Sequence, residues 1–193
     1  VTEEDFKKKF DEPILEILDE ISREKRDKIF SSPEFFEEIG KRIKDENSIV
    51  YNAYEHKVPI FVPAIQDSCF GLSIWEYTEK YGRKSIVVDA FKELHEFFEF
   101  LKKFEKRGAL IVGGGVPKNF IFQAAFELKK PYDYAIQITM DRPETGGLSG
   151  ATLEEAISWG KLSTNTGKVQ VIGDATVCLP ILVAAVMERL FEK

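Results

Sequence analysis

Cysteine, histidine and methionine are scarce, with two of each in the chain. Two cysteines cannot build a disulfide framework, and Cys69 and Cys178 are not spaced as metal ligands. Free thiols of this kind are expected to be mostly buried, and they fit a reducing cytoplasm. His56 and His95 belong to no partner motif, so each reads as a helix-surface residue, and no metal site is expected. No apolar run approaches the length of a membrane span, and no stretch has the build of a signal peptide. Basic runs are missing too. Lys+Arg 27 against Asp+Glu 33 leaves a net charge of −6, which gives no footprint for nucleic acid. A mildly acidic surface suits a basic protein or a polyamine, and is equally ordinary for any water-facing protein.

What is present is apolar material. At 193 residues and 44% hydrophobic, the chain can fill about one core. The first 56 residues read as helices. Pro13 suits a helix start, and Ile14, Leu15, Leu18 and Ile21 form a one-faced stripe reaching to about Arg26. Ser32-Pro33 opens a second helix with Phe36, Ile39 and Ile43 inward, and Ser48 caps a third through Tyr54.

From Val58 the pattern changes to alternation. Strands are expected at Pro59–Val62, Ser85–Val88, Ala109–Val112, Tyr134–Ile138 and Val169–Ile172, each a short apolar run of the kind buried on both faces of a parallel sheet. Helices are expected near Phe70–Tyr81, Phe91–Lys106, Pro117–Lys129, Leu153–Gly160 and Cys178–Glu192. This alternation argues an α/β fold, a doubly wound, mostly parallel, Rossmann-like sheet preceded by helices. The expected organisation is a helical segment, 1–57, packed on the same domain as an α/β portion, 58–193.

Polar and glycine residues gather just after the strands: Asp67, Asp89, Gly113–Gly115, Thr139–Ser149 and Asp174. Ligands of open α/β sheets bind at those carboxyl ends. Gly113-Gly114-Gly115 lets a phosphate or ring approach the backbone at a helix start, or simply makes a tight turn. Asp174 suits ribose hydroxyls or the N-cap of the last helix, and Asp67 carries the same two readings. Glu155 and Trp159 stand four apart on one helix face, where a carboxylate and an indole can hold a cationic amine; a capping glutamate and a core tryptophan would look the same. Thr152 can cap that helix, and Gly160 stops it. Lys161 follows at once, either as a solvated helix end or as an amine nucleophile able to form an imine.

The block Glu154-Glu155-Ala156-Ile157-Ser158-Trp159-Gly160-Lys161, behind the loop Thr145-Gly146-Gly147-Leu148-Ser149-Gly150, resembles the catalytic-lysine region of the deoxyhypusine synthase family. Val62-Pro63-Ala64-Ile65-Gln66-Asp67-Ser68, Leu110-Ile111-Val112-Gly113-Gly114-Gly115-Val116-Pro117-Lys118 and Gly173-Asp174-Ala175-Thr176 continue the resemblance in order, over most of the chain.

The resemblance implies an NAD-dependent enzyme that moves the 4-aminobutyl group of spermidine, through an imine on Lys161, to a lysine of the translation initiation factor 5A precursor. It implies cofactor contacts at Asp67, Gly113, Gly114, Gly115, Ser149, Asp174 and Ala175, with Met140 or Thr139. It implies amine contacts at Asn119, Gln123, Gly146, Gly147, Glu155 and Trp159. It further implies a cytoplasmic homotetramer with sites shared across a dimer interface.

Two features depart from the family's pattern. Leu72 and Leu148 stand where carboxylates grip the far amine of spermidine, and Asn119 and Gln123 stand for a histidine and an asparagine. A relative using another donor or acceptor, of homospermidine, agmatine or putrescine type, is therefore an alternative, as is a non-catalytic partner chain. The family's proteins also carry a further N-terminal portion, whereas this chain starts Val1-Thr2-Glu3. The expectation is the C-terminal piece of a cleaved or split enzyme, working with a separate N-terminal chain, or a shortened form.

Overall fold

Of the expected stripe, Ile14, Leu18 and Ile21 are buried and Leu15 is half-buried. The computed structural model describes residues 2–82 and 86–191. They divide into two compact units, Val1–Glu99 and Phe100–Lys193, so the boundary expected near residue 57 falls inside the first unit.

In the first unit, α1 (Glu3–Phe6) runs through a π-helical turn, Lys7–Asp11, into α2 (Glu12–Glu24). Lys25 caps the end of α2, a turn with Asp27 at φ 62° follows, and then β1 (Ile29–Phe30). Then come α3 (Ser32–Arg42), α4 (Ile49–Glu55), a 3-10 turn at Ile65–Asp67, α5 (Cys69–Tyr81), β2 (Val87–Val88) and the start of α6 (Ala90–Lys102), whose last three residues belong to the second unit. Hydroxyl caps set the helix starts: Ser31 accepts from the Glu34 amide, Ser48 from Tyr51 and Ser68 from Gly71. The core is Leu18, Ile21, Phe30, Phe35 and Ile39, all at most 1% exposed.

Several expectations are corrected here. The helical reading of the first 56 residues misses β1, which pairs in parallel with β2 through Ile29↔Val87 and Phe30↔Val88. Two residues are too short to show a period. Ser85, placed in that second strand by the sequence, lies outside the described residues. Pro59–Val62 joins no sheet; Pro59 has no N–H to give, and the Val62 amide instead donates to Ser32 Oγ at 3.0 Å. Ser68 rather than Asp67 caps α5. Cys69 is exposed and Cys178 half-buried, so neither free thiol is in a core.

The second unit is a sheet of order β3-β4-β5, parallel throughout. Its strands are β3 (Gly108–Val112), β4 (Tyr132–Thr139) and β5 (Leu162–Ile172). Helix α7 (Val116–Glu127) links the first pair, α8 (Leu153–Ser158) lies between the second, and α9 (Ala175–Phe191) follows. Ala109, Ile111, Phe122, Ala135, Leu153 and Leu162 form the core. In β3 burial on both faces does not hold: Leu110 and Val112 alternate with Ala109 and Ile111 and are exposed, whereas in β4 Gln137, Ile138 and Thr139 are buried in succession. β5 starts seven residues before the expected Val169, since Leu162 pairs with Tyr132 and, past an irregularity in register, Gly167 and Lys168 pair with Tyr134 and Ala135. The two units together make a mixed α/β fold with parallel sheets. Among the described residues no helix is long and apolar enough to cross a membrane.

Burial pushes the Tyr132 phenol up to about 12, against an opposing pull from Arg107. An unfolded phenol titrates near 10, so the folded state holds the proton over a window where the unfolded chain releases it. That stabilisation is complete below about pH 10 and is lost as pH rises to about 12, a span of about 2–3 kcal/mol. Urea melts of wild type and Tyr132→Phe should show the stability difference shrinking by that amount across the window. An unchanged difference would show that the phenol titrates alike in both states.

Candidate active site

Backbone geometry places the glycine and acidic segments side by side. The Gly113 amide donates to Ile138 O at 2.8 Å, and the Gly173 amide to Thr139 O at 3.0 Å. The turns after β3, β4 and β5 therefore lie together at the carboxyl edge, carrying Gly113–Gly115, Thr139–Met140 and Asp174–Ala175. The three glycines take φ of 77°, 150° and 125°, a backbone path that residues with a Cβ rarely follow. Open space faces Gly113 and Gly115, where an added Cβ meets nothing within 4 Å. Gly115 begins α7 without a side-chain cap, which leaves the first amides of that helix for an anion. Asp174 stands exposed alongside. Its carboxylate accepts from the amide and hydroxyl of Thr176, bonds that hold its pKa below the usual carboxylate range, so it caps α9. These residues fit a dinucleotide: diphosphate at the glycine turn, hydroxyls at the carboxylate.

Lys161 is placed by a helix stop. The Lys161 amide donates to Ala156 O and the Gly160 amide to Ile157 O, each at 2.9 Å, with Gly160 at φ 69°. This Schellman arrangement releases the chain from α8 directly into β5. Lys161 thus precedes its strand instead of following one. Its half-buried side chain donates to Asn119 Oδ1 at 3.5 Å. Glu155 and Trp159 line the same cavity, as do Leu148 and Lys118. Trp159 is 62% exposed, so it is no core tryptophan. Thr152 caps α8 by accepting from the Glu155 amide.

Other sequence-identified positions lie outside this cavity. Gln123, Gly146 and Gly147 are exposed and do not line it. Met140 is exposed at the carboxyl edge, and Ser149 bonds Asp141 through its hydroxyl. Asp67 and Leu72 belong to the first unit, both exposed.

Two buried polar side chains received no role from the sequence. Lys118, 6% exposed, donates to Gln137 Oε1 at 3.1 Å, Leu148 O at 3.1 Å and Ala151 O at 2.5 Å. Gln137, fully buried, donates from Nε2 to Gly113 O and Ser149 O, both at 2.9 Å. Burial pushes the Lys118 ammonium down; Glu155 opposes this and Lys161 adds to it. The available signals were a glutamine inside the apolar strand Tyr134–Ile138 and a lysine in the first turn of an apolar helix.

A family model for deoxyhypusine synthase matches residues 1–186. The chain belongs to the deoxyhypusine synthase family. It is 51% identical to probable deoxyhypusine synthase 1 of Methanosarcina acetivorans, over 81% of this chain and 48% of that protein. It is 47% identical to probable deoxyhypusine synthase 2 of Archaeoglobus fulgidus, over 89% of this chain and 57% of that one. A crystal structure from Entamoeba histolytica, provisionally named deoxyhypusine synthase, shares the fold with a TM-score of 0.68 at 22% identity, over 95% of this chain and 54% of that one. The chain spans about half the length of the curated deoxyhypusine synthases it matches. The cavity lining includes Leu148, and its acidic residue is Glu155.

Proposed function

We propose that this chain carries the catalytic lysine of a deoxyhypusine synthase and works in the transfer of an aminobutyl group. The observation that supports it most is the meeting of Lys161, Asn119, Glu155 and Trp159 at one cavity. Family membership, together with the glycine turn and Asp174, supports a bound NAD. NAD supplies the hydride acceptor for oxidation of the donor amine and returns the hydride at the end. Asp67, Gly113–Gly115, Met140, Ser149, Asp174 and Ala175 are the residues assigned to it.

In this reading Glu155 holds an ammonium group of spermidine and the Trp159 indole covers its alkyl chain. Oxidation at the secondary amine leaves a carbon–nitrogen double bond. The Lys161 amine adds to that carbon, and 1,3-diaminopropane departs with the electron pair of its bond. The imine now on Lys161 passes the aminobutyl group to a lysine of the translation initiation factor 5A precursor, which frees Lys161, and reduction completes the product. Asn119, bonded to Lys161, aims the amine. Gln123, Gly146 and Gly147, which lie outside the cavity, are assigned to the approach of the amine. The domain reading assigns this work to residues 58–193, and the strand–helix alternation supports a doubly wound, Rossmann-like sheet there. A cytoplasmic tetramer, or a complex with a separate N-terminal chain, completes the picture.

Leu148 favours a second reading, in which another amine such as putrescine or agmatine is donor or acceptor. An unpaired ammonium beside leucine costs on the order of 2–5 kcal/mol. Incubation with NAD and spermidine, then borohydride, should leave an aminobutyl adduct on Lys161 in peptide mass spectra. An adduct from putrescine or agmatine but not spermidine selects the second reading. If the protein, supplied with the N-terminal portion of the family, binds NAD and no amine gives an adduct, both fail and a non-catalytic partner chain is left.

The Glu155→Gln variant keeps the shape and loses the charge. It should raise the amine concentration for half-maximal adduct formation by about 10-fold or more, as expected for a charge-assisted contact. An unchanged value would remove Glu155 from amine binding.

A further inference from the structure

Loops that hold a reacting amine must not drift, since small misplacements cost rate steeply. The segment Leu148–Ala151 has little regular structure to hold it. Its own bonds are the Gly150 and Ala151 amides donating to Gly147 O, at 3.1 Å each, and the Ser149 hydroxyl donating to Asp141. Yet its carbonyls converge on two buried side chains. Lys118 reaches Leu148 O and Ala151 O, and Gln137 reaches Ser149 O. The accounting closes. The three protons of Lys118 have three acceptors, and the amide of Gln137 accepts once and donates twice. Gln137 also holds Gly113 O, so one pair of side chains ties the turn after β3, the first turn of α7 and the loop after β4. Gly114 closes the contact from the other side, with room for no Cβ against Ser149 Cα.

We propose that Lys118 and Gln137 act as a buried clamp, positioning residues that fix the Leu148–Ala151 wall of the cavity relative to Lys161 and the Gly113–Gly115 turn. A satisfied network of this kind has one low-energy arrangement, because any shift strands a buried donor or acceptor. The clamp itself stands on geometry; its consequence for chemistry rests on the reading of Lys161 above.

The Lys118→Met variant tests it, because methionine keeps the volume of the stem and loses only the ammonium group. Amide hydrogen exchange at Gly150 and Ala151 should accelerate at least tenfold, with the β4 amides of Ile136 and Ile138 unchanged. Lys118→Arg, which restores a buried cation, should recover most of the protection. In the adduct assay, Lys118→Met should lower the rate at saturating amine at least tenfold and shift the half-saturating concentration less than threefold. A role in packing alone would leave methionine equal to wild type. Exchange at Gly150 and Ala151 within twofold of wild type, in folded Lys118→Met, overturns the clamp. If that variant loses the β4 protection, Gln137→Asn decides, since it draws the amide back from Ser149 O and Gly113 O. At least threefold faster loop exchange supports the clamp, and wild-type exchange overturns it. A wild-type protein that, supplied with the N-terminal portion of the family, binds NAD and forms no adduct sinks the reading of Lys161 and leaves the exchange result to judge the clamp.

Discussion

Lys161→Ala should abolish the borohydride-trapped adduct while leaving the fold and NAD binding in place. The expected loss in transfer rate is on the order of 10³-fold or more, the scale seen when a nucleophile is removed outright. Alanine deletes the atom that adds to the imine carbon, and the neighbouring groups cannot replace it. Lys118 stands in the same cavity, but its three bonds and its burial hold its nitrogen away from reaction. Stability should change by less than about 1 kcal/mol, since the side chain is outside the core and the stop at Gly160 uses only backbone groups. Lys161→Arg should be as inactive as alanine, because a guanidinium stays protonated and cannot add to carbon. NAD affinity, read by fluorescence or calorimetry, should stay within about threefold of wild type, since no contact to that site is lost. Transfer activity surviving in Lys161→Ala would sink the imine route through this residue.

Gly114→Ala should be strongly destabilising for a change of a single methyl group. The new Cβ would stand 2.8 Å from Ser149 Cα and 3.2 Å from both Gln137 Nε2 and Lys118 Cδ, at a backbone φ of 150°. Two backbones cannot yield as a flexible side chain can, so the loop must move and the clamp must open. Strain and overpacking together suggest a loss of about 2–4 kcal/mol, and NAD affinity should fall at least about 10-fold, because a displaced glycine turn loses its aim. Gly113→Ala is the control. Its Cβ meets nothing within 4 Å, so only the strain at φ 77° applies, about 1–2 kcal/mol. Urea melts of the two variants should separate them. Equal losses, or a larger loss at Gly113, would show that close packing on the loop is not what Gly114 serves.

Legibility varied with the range of the physics. Helix starts were legible where a cap could be recognised, because a cap is a bond between residues three apart: Ser48 and Thr152 each accept from the amide three positions on, whereas Ser68 takes the place offered to Asp67 and α9 starts three residues before the expected Cys178. The stop at Gly160 was equally local. The centre of β4, an apolar run, was legible by composition alone. Strands made by partners were not. β1 exists because Val87 and Val88 lie beside it, and the start of β5 exists because β4 does; nothing in Ile29-Phe30 or Ser163–Lys168 shows this.

The site divides in the same way. Sequence alone determined that a glycine turn follows β3, that Glu155 and Trp159 share a helix face, and that Lys161 follows the helix stop, since each depends on neighbours along the chain. Only the tertiary structure decided that Asn119, forty-two positions before Lys161, meets its amine. The same holds for Gln123, which turns outward although Asn119, one turn earlier on α7, turns in. The clamp was decided there as well. Lys118, Gln137 and the carbonyls of Leu148, Ser149 and Ala151 come from three separate segments, and a buried ammonium is tolerable only once all three converge on it.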